Sequence, residues 1–322
     1  MTMRWGIAGY GDVVERRVLP AMRLLGHEPL FLYGRDRQRA RASAGRWRIP
    51  VSGTDLAKLL TGVDAVYVAT PVVRHVPLAE QVLKAGLAVL IEKPLAGALP
   101  AAASPVTGEE HRAGVAYYRR LAPAVRRLRA ELTTWTPERV DVRFRCAFAP
   151  GPGHPMLWRT DPAVSGGGVL ADAGSHRLDL LLMLLGRPTQ VRARLGRRFP
   201  AGAERRAEVE LDWPGTRGHC LFEWDDAPPV DRLALYGRDR ALVLDPLDHG
   251  ALTVSGPDGV RREVHTPHGN PHVPLLSDFV AAVREGRPPV CPAAEGALVD
   301  DVIRAAERSA ALGGAPVRPG QG

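Results

Sequence analysis

Lys93 is the residue whose type most needs explaining. The chain carries 43 Lys and Arg residues, yet lysine occurs only at positions 58, 84 and 93, so arginine supplies nearly every positive charge. Lys93 sits in Val89-Leu90-Ile91-Glu92-Lys93-Pro94, where an apolar, strand-like run ends in a carboxylate, an ammonium and a ring-locked residue. Arginine cannot be deprotonated, whereas a desolvated lysine can exchange a proton near neutral pH. A lysine kept at a strand end therefore suits proton transfer; the plainer alternative is an electrostatic anchor for a ligand. Glu92 is placed to orient the ammonium, and Pro94 to fix the chain direction after it, with a cis bond as one way of doing so. A second pair, Asp172 and His176, lies four residues apart in the stretch VLADAGSHRLDLLLMLLG at 169–186. In a helix the two share a face, with Leu178, Leu181, Leu182 and Leu185 turned to the core. Histidine titrates near neutral pH and a carboxylate can orient it, which is the equipment for moving a hydroxyl proton. On residue types alone, a satisfied histidine at the head of a core helix is the simpler reading. Asp and His at this spacing can also ligate a metal, but the sequence places no third His or Cys ligand, and no metal is assigned.

These residues need a scaffold, and the first 120 positions supply a pattern for one. Strand-like runs at 4–9, 28–34, 63–71 and 87–94 alternate with helical stretches at 13–26, 34–48 and 76–86, and Thr54 or Asp55 can cap a short helix between them. Near-continuous apolar strands alternating with helices predict a doubly wound parallel sheet. Between the first strand and helix lies Gly9-Tyr10-Gly11-Asp12-Val13-Val14. Gly9 would make the tight turn of a dinucleotide fingerprint, and Gly11 would let the backbone approach a pyrophosphate at the helix N-terminus. Val14 stands where the fingerprint has Gly or Ala, and Asp12 adds a carboxylate near the phosphates. At the end of the second strand, Tyr33-Gly34 is followed by Arg35, and the only nearby acid, Asp36, comes later. NAD binders place an acid at the strand end to hold the ribose hydroxyls, whereas an Arg nearby accommodates a 2′-phosphate. NADP(H) is therefore expected over NAD(H), held by Gly9, Gly11, Asp12, Val13 and Arg35.

Two longer stretches carry a more specific signal. Residues 64–96 contain Thr70-Pro71…His75 and Glu92-Lys93-Pro94; residues 157–186 contain Trp158-Arg159 and then Gly-Gly-Gly-x-Leu-x-Asp-x-Gly-x-His-x-x-Asp, from Gly166 to Asp179. With the first turn, Arg120 and Pro123 of YYRRLAPAVRRL and the late helical stretch at 275–289, the chain resembles the glucose–fructose oxidoreductase / inositol dehydrogenase (Gfo/Idh/MocA) family over nearly its whole length. The resemblance implies an α/β protein with an N-terminal Rossmann domain at 1–120. It implies at 121–322 an α+β domain for substrate binding and oligomerisation, built on an open, mostly antiparallel sheet. It adds Thr70, Pro71, His75, Glu92 and Lys93 to the cofactor contacts, and makes Lys93, His176 and Asp172 the catalytic set. It also implies a homodimer or homotetramer. The succession of strand-like runs after residue 138 agrees with such a sheet. Two departures stand out: Val72 replaces a polar residue usual after Thr-Pro, and Pro100 and Pro105 predict a short or irregular segment over 95–110 in place of a helix.

Bulk properties set the limits. A hydrophobic fraction of 45% and a charged fraction of 24% fit a soluble globular protein with a full core. The net charge of +8 invites a nucleic-acid reading, but the arginines are scattered and form no known nucleic-acid motif, so none is expected. Three widely spaced cysteines, Cys146, Cys220 and Cys291, make neither a disulfide framework nor a metal motif, which places the chain in a reducing cytoplasm. No apolar run approaches a membrane span, and no signal peptide is expected. The function expected is NADP(H)-dependent hydride transfer at a hydroxyl or ketone carbon of a sugar, sugar derivative or cyclitol. The alternatives are reduction of a C=N or conjugated C=C bond, and a non-catalytic dinucleotide-binding sensor.

Overall fold

The computed structural model describes residues 2–100, 106 and 108–320, which fall into two compact units. The first comprises Met1–Ala96, Pro100–Tyr118 and His268–Ala297; the second comprises Gly97–Leu99, Arg119–Pro267 and Leu298–Gly322.

The first unit is built on a six-stranded sheet of β1 (Arg4–Ala8), β2 (Glu28–Tyr33), β3 (Val51–Gly53), β4 (Ala65–Val68), β5 (Ala88–Ile91) and β6 (Ala113–Val115), in the order β3-β2-β1-β4-β5-β6. Every pairing is parallel. β4 and β5 are buried at every residue, as strands covered on both faces must be, which explains their unbroken apolar runs. The strand order reverses between β1 and β4, and in such sheets ligands bind outside the carboxyl ends of the strands at that switch point. After β1 the chain enters a π-helical stretch, Val14–Val18, that continues as α1 (Leu19–Leu24) and ends at Gly26 with φ 68°. Asp36 caps α2 (Arg37–Trp47) by accepting from the Arg39 N–H, and Asp55, not Thr54, caps α3 (Leu56–Leu59). α4 (His75–Lys84) leads through Gly86 into β5. The helix His272–Glu285, which a cut at residue 120 assigns to the second domain, belongs to this unit. Its Phe279 is fully buried with its ring centroid 5.8 Å from that of Trp5 on β1.

The second unit holds an eight-stranded sheet of β7 (Arg139–Cys146), β8 (Gln190–Arg198), β9 (Glu204–Trp213), β10 (Thr216–Trp224), β11 (Val230–Tyr236), β12 (Ala241–Leu244), β13 (Ala251–Gly256) and β14 (Gly259–Val264). The order is β14-β13-β12-β11-β7-β10-β9-β8, and only the β7–β10 pairing is parallel. Val142, Cys220, Val209 and Leu233 meet across the strands on a buried face, while Arg143, Arg217, Glu210 and Arg194 are exposed. That alternation gives a half-solvated antiparallel sheet.

The stretch 169–186 is helical but not uniformly α: a π turn, Leu170–Gly174, precedes the α-helix Ser175–Leu185, which stops at Gly186. The buried leucines of the stretch are Leu170, Leu178, Leu180 and Leu181, whereas Leu182 and Leu185 are only half-buried. Of the irregular segment expected over 95–110, residues 95–100 form bends and a turn without helix; 101–105 and 107 lie outside the described residues. Among the described residues no helix is long and apolar enough to cross a membrane.

Candidate active site

In the first unit, most of the expected cofactor residues lie where the strands end. Gly9 has φ 114° and donates its N–H to Tyr33 O at 2.8 Å, tying the turn after β1 to the end of β2. A Cβ on Gly9 would fall 2.3 Å from Ala69 O, so only glycine lets this turn pass the end of β4. Gly11 is exposed with nothing within 4 Å of a would-be Cβ, and its carbonyl accepts from Val14 N–H and Glu15 N–H to open the helix. Val14, in place of the usual small residue, is fully buried. Val13 is half-buried beside it, and Asp12 is exposed and paired with Arg16 at 2.7 Å, which offsets its charge next to the turn. Arg35 is exposed. Thr70, followed by Pro71 at the end of β4, has a buried hydroxyl without a hydrogen-bond partner among the described residues. Such an orphan costs free energy unless something satisfies it. A polar ligand over the switch point would do so.

The Glu92-Lys93-Pro94 corner is built from beneath. Glu92 is 9% exposed; one carboxylate oxygen accepts from Tyr67 Oη at 2.7 Å and lies 3.5 Å from His272 Nε2, and the other accepts from Lys93 N–H at 3.3 Å. Burial pushes this carboxyl up, but His272, the Tyr67 hydroxyl and the Lys93 charge outweigh it and hold it below its ordinary value. The Lys93–Pro94 peptide is cis, and Lys93 itself is half-exposed. His75 is 1% exposed, with Nδ1 2.9 Å from Pro94 O and Nε2 2.8 Å from Thr70 O, and burial holds it below its ordinary pKa. Both carboxylate oxygens of Glu92 and both ring nitrogens of His75 are engaged inside the unit. They hold the ends of β4 and β5 in place, and so position Thr70 and Lys93.

In the second unit, Asp172 lies in the π turn and pairs with Arg159 at 2.9 Å, and His176 follows in the first turn of the α-helix, 7% exposed. Asp179, the last residue of the motif, is fully buried and takes a bidentate contact from Arg120 at 2.6–3.0 Å. Such a pair fixes geometry; removing one partner strands a buried charge at a cost of about 3–5 kcal/mol. The glycine loop ahead of Asp172 is gripped by Glu204 at the start of β9. Its carboxylate accepts from Gly168 N–H at 2.8 Å and Leu170 N–H at 3.0 Å, and a Cβ on Gly168 would lie 2.1 Å from Glu204 O. Burial, then repulsion from Glu307, pushes the Glu204 carboxyl up to about 7.

Comparison with known proteins decides the assignment. Residues 3–118 match the family model described as an oxidoreductase family with an NAD-binding Rossmann fold, and residues 124–243 match the GFO/IDH/MocA C-terminal domain. The chain belongs to the GFO/IDH/MocA oxidoreductases. Among its relatives is a dTDP-3,4-didehydro-2,6-dideoxy-alpha-D-glucose 3-reductase from Streptomyces violaceoruber, 29% identical over 88% of this chain and 85% of the relative. Another is a D-xylose 1-dehydrogenase (NADP(+)) from Haloferax volcanii, 28% identical over 97% and 99% of the two chains. An oxidoreductase domain protein from Kribbella flavida shares the fold at a TM-score of 0.87 with 24% identity, each chain covered completely.

Within this GFO/IDH/MocA chain, three supports escaped sequence reasoning. Tyr67 and His272 hold Glu92, and His272 lies 180 positions from it along the chain. Glu204 is one more acid in a strand that reads as alternating. The one readable hint was Gly168, since a third consecutive glycine implies that something approaches the backbone there. His219 and His265 pair with Glu208 and Glu263.

Proposed function

We propose that the chain is an NADP(H)-dependent oxidoreductase that passes a hydride between the nicotinamide and a hydroxyl or ketone carbon of a sugar, sugar derivative or cyclitol. The observation that carries the reading is the joint retention of Lys93 on its buried Glu92 support and of Asp172 and His176 on a clamped helix. A dinucleotide sensor needs no such proton-handling set. The printed activities of the two relatives, on a deoxysugar nucleotide and on D-xylose, support the substrate class. Arg35, exposed one residue beyond the position where an NAD binder would carry an acid, supports NADP(H). The three cysteines are free, which suits a reducing cytoplasm. The charged face of the second sheet is the surface we assign to dimer or tetramer contacts.

When bound, the cofactor supplies or accepts the hydride. The chain's own residues do the rest: Lys93 and His176 handle the hydroxyl proton, Asp172 orients, and the glycine turn with Thr70 holds the nucleotide. The test is nicotinamide absorbance with NADPH, NADP⁺, NADH and NAD⁺ across keto sugars, sugars and cyclitols, together with the dissociation constants of the reduced cofactors. Turnover is expected with at least one such substrate, and NADPH is expected to bind about tenfold or more tighter than NADH. Arg35→Ala should erode that preference by about tenfold, since charge-assisted bonds to a phosphate are worth roughly 1.5–3 kcal/mol. Equal affinities in the unmodified chain would contradict the cofactor assignment.

A further inference from the structure

Position 34, at the end of β2, is where a ribose-binding acid would stand, and the structure shows why it is bare. Gly34 does not have a left-handed φ, so its backbone would accept any residue. The obstacle is the side chain of Tyr10, from the turn after β1: a Cβ on Gly34 would fall 1.9 Å from Tyr10 Cε1 and 2.6 Å from Cδ1. Two contacts hold the ring in this place. Its hydroxyl accepts from Asp36 N–H at 3.3 Å, and the Arg39 guanidinium lies over its face, 5.2 Å from the centroid. The nearest acid is also committed, because Asp36 Oδ1 accepts from Arg39 N–H at 3.0 Å as the cap of α2.

We propose that Tyr10 is a specificity-determining residue: its ring occupies the place of a side chain at position 34, shuts out a diol-binding carboxylate, and holds Arg39 over its face, where it serves with Arg35 for a ribose 2′-phosphate. The proposal rests on the NADP(H) reading above and adds its cause. It makes the preference a property of two packed residues, so that installing an acid at position 34 does not by itself create an NAD site.

The test measures NADPH and NADH dissociation constants for the unmodified chain, Tyr10→Ala, Gly34→Asp and Tyr10→Ala/Gly34→Asp. Gly34→Asp alone is expected to weaken both cofactors without favouring NADH. Adding Tyr10→Ala should then tighten NADH by about tenfold or more over Gly34→Asp alone. If Gly34→Asp alone binds NADH as tightly as the double variant, the ring is no barrier and the proposal is overturned. That comparison uses NADH alone, so it stands apart from the cofactor reading; equal NADPH and NADH affinities in the unmodified chain would sink only that reading. Should Gly34→Asp fail to fold, Gly34→Ala carries the same question without a ligand. It should lower the melting temperature in the Tyr10 background and leave it unchanged in the Tyr10→Ala background; an equal drop in both would overturn the proposal.

Discussion

At the scale of single residues, the account turns on side chains that have work and side chains that hold them. Lys93 drew attention as one of three lysines in an arginine-rich chain, set at a strand end, and its part in proton transfer is proposed. Glu92 and His75 were legible as members of motifs, but the side chains and carbonyls that hold them were not. Their partners are Tyr67, His272 and two backbone carbonyls, and no spacing rule connects those. The same distinction applies to the 166–179 motif, where Asp179 is locked to Arg120 while Asp172 and His176 are proposed to act on substrate. His176→Ala and Asp172→Ala are each expected to lower turnover by about 10²-fold or more while leaving NADPH binding nearly unchanged. Equilibrium binding measured beside steady-state turnover checks this, and loss of cofactor binding in a folded variant would show the residue to be misplaced.

At the scale of elements, sequence periodicity found β1, β2, β4 and β5 and the helices between them, because buried parallel strands and amphipathic helices write themselves as apolar patterns, but it did not mark β3, β6, β8, β13, β14 or the helix Ala293–Ala311. It could not find the π turn at Leu170–Gly174, since no residue type marks i→i+5 bonding, and it turned Leu182 and Leu185 to the core where the structure leaves them half-buried. Nor could it see that the glycine loop before this turn is held by a carboxylate from β9. Glu204 has a folded pKa of about 7 against an ordinary 4.5, chiefly from burial. A raised acid pKa means that the folded chain binds the proton more tightly than the unfolded chain. This group therefore costs stability progressively as pH rises from about 4.5 to about 7, up to about 3 kcal/mol in all. Glu204→Gln cannot ionise, so its thermal unfolding followed across that window should show a flatter decline than the unmodified chain. Parallel pH profiles for the two would mean that the clamp does not titrate there.

At the scale of the molecule, the chain forms two units whose membership does not follow chain order. The helix His272–Glu285 returns to the first unit because its apolar face, with Phe279 against Trp5, completes that core, and nothing local to the helix says so. The same return delivers His272 to Glu92 beneath Lys93, so a residue from late in the chain supports the strand end singled out first. The claim that the whole protein runs proton-coupled hydride transfer is tested most directly by turnover of Lys93→Arg and Lys93→Met with NADPH and a substrate found in the panel. As a proton donor or acceptor, Lys93 cannot be replaced by a group that stays charged, so both variants should lose about 10²–10⁴ in turnover. A Lys93→Arg protein with near-normal turnover, beside a Lys93→Met protein that only binds NADPH more weakly, would make Lys93 an anchor and contradict the account.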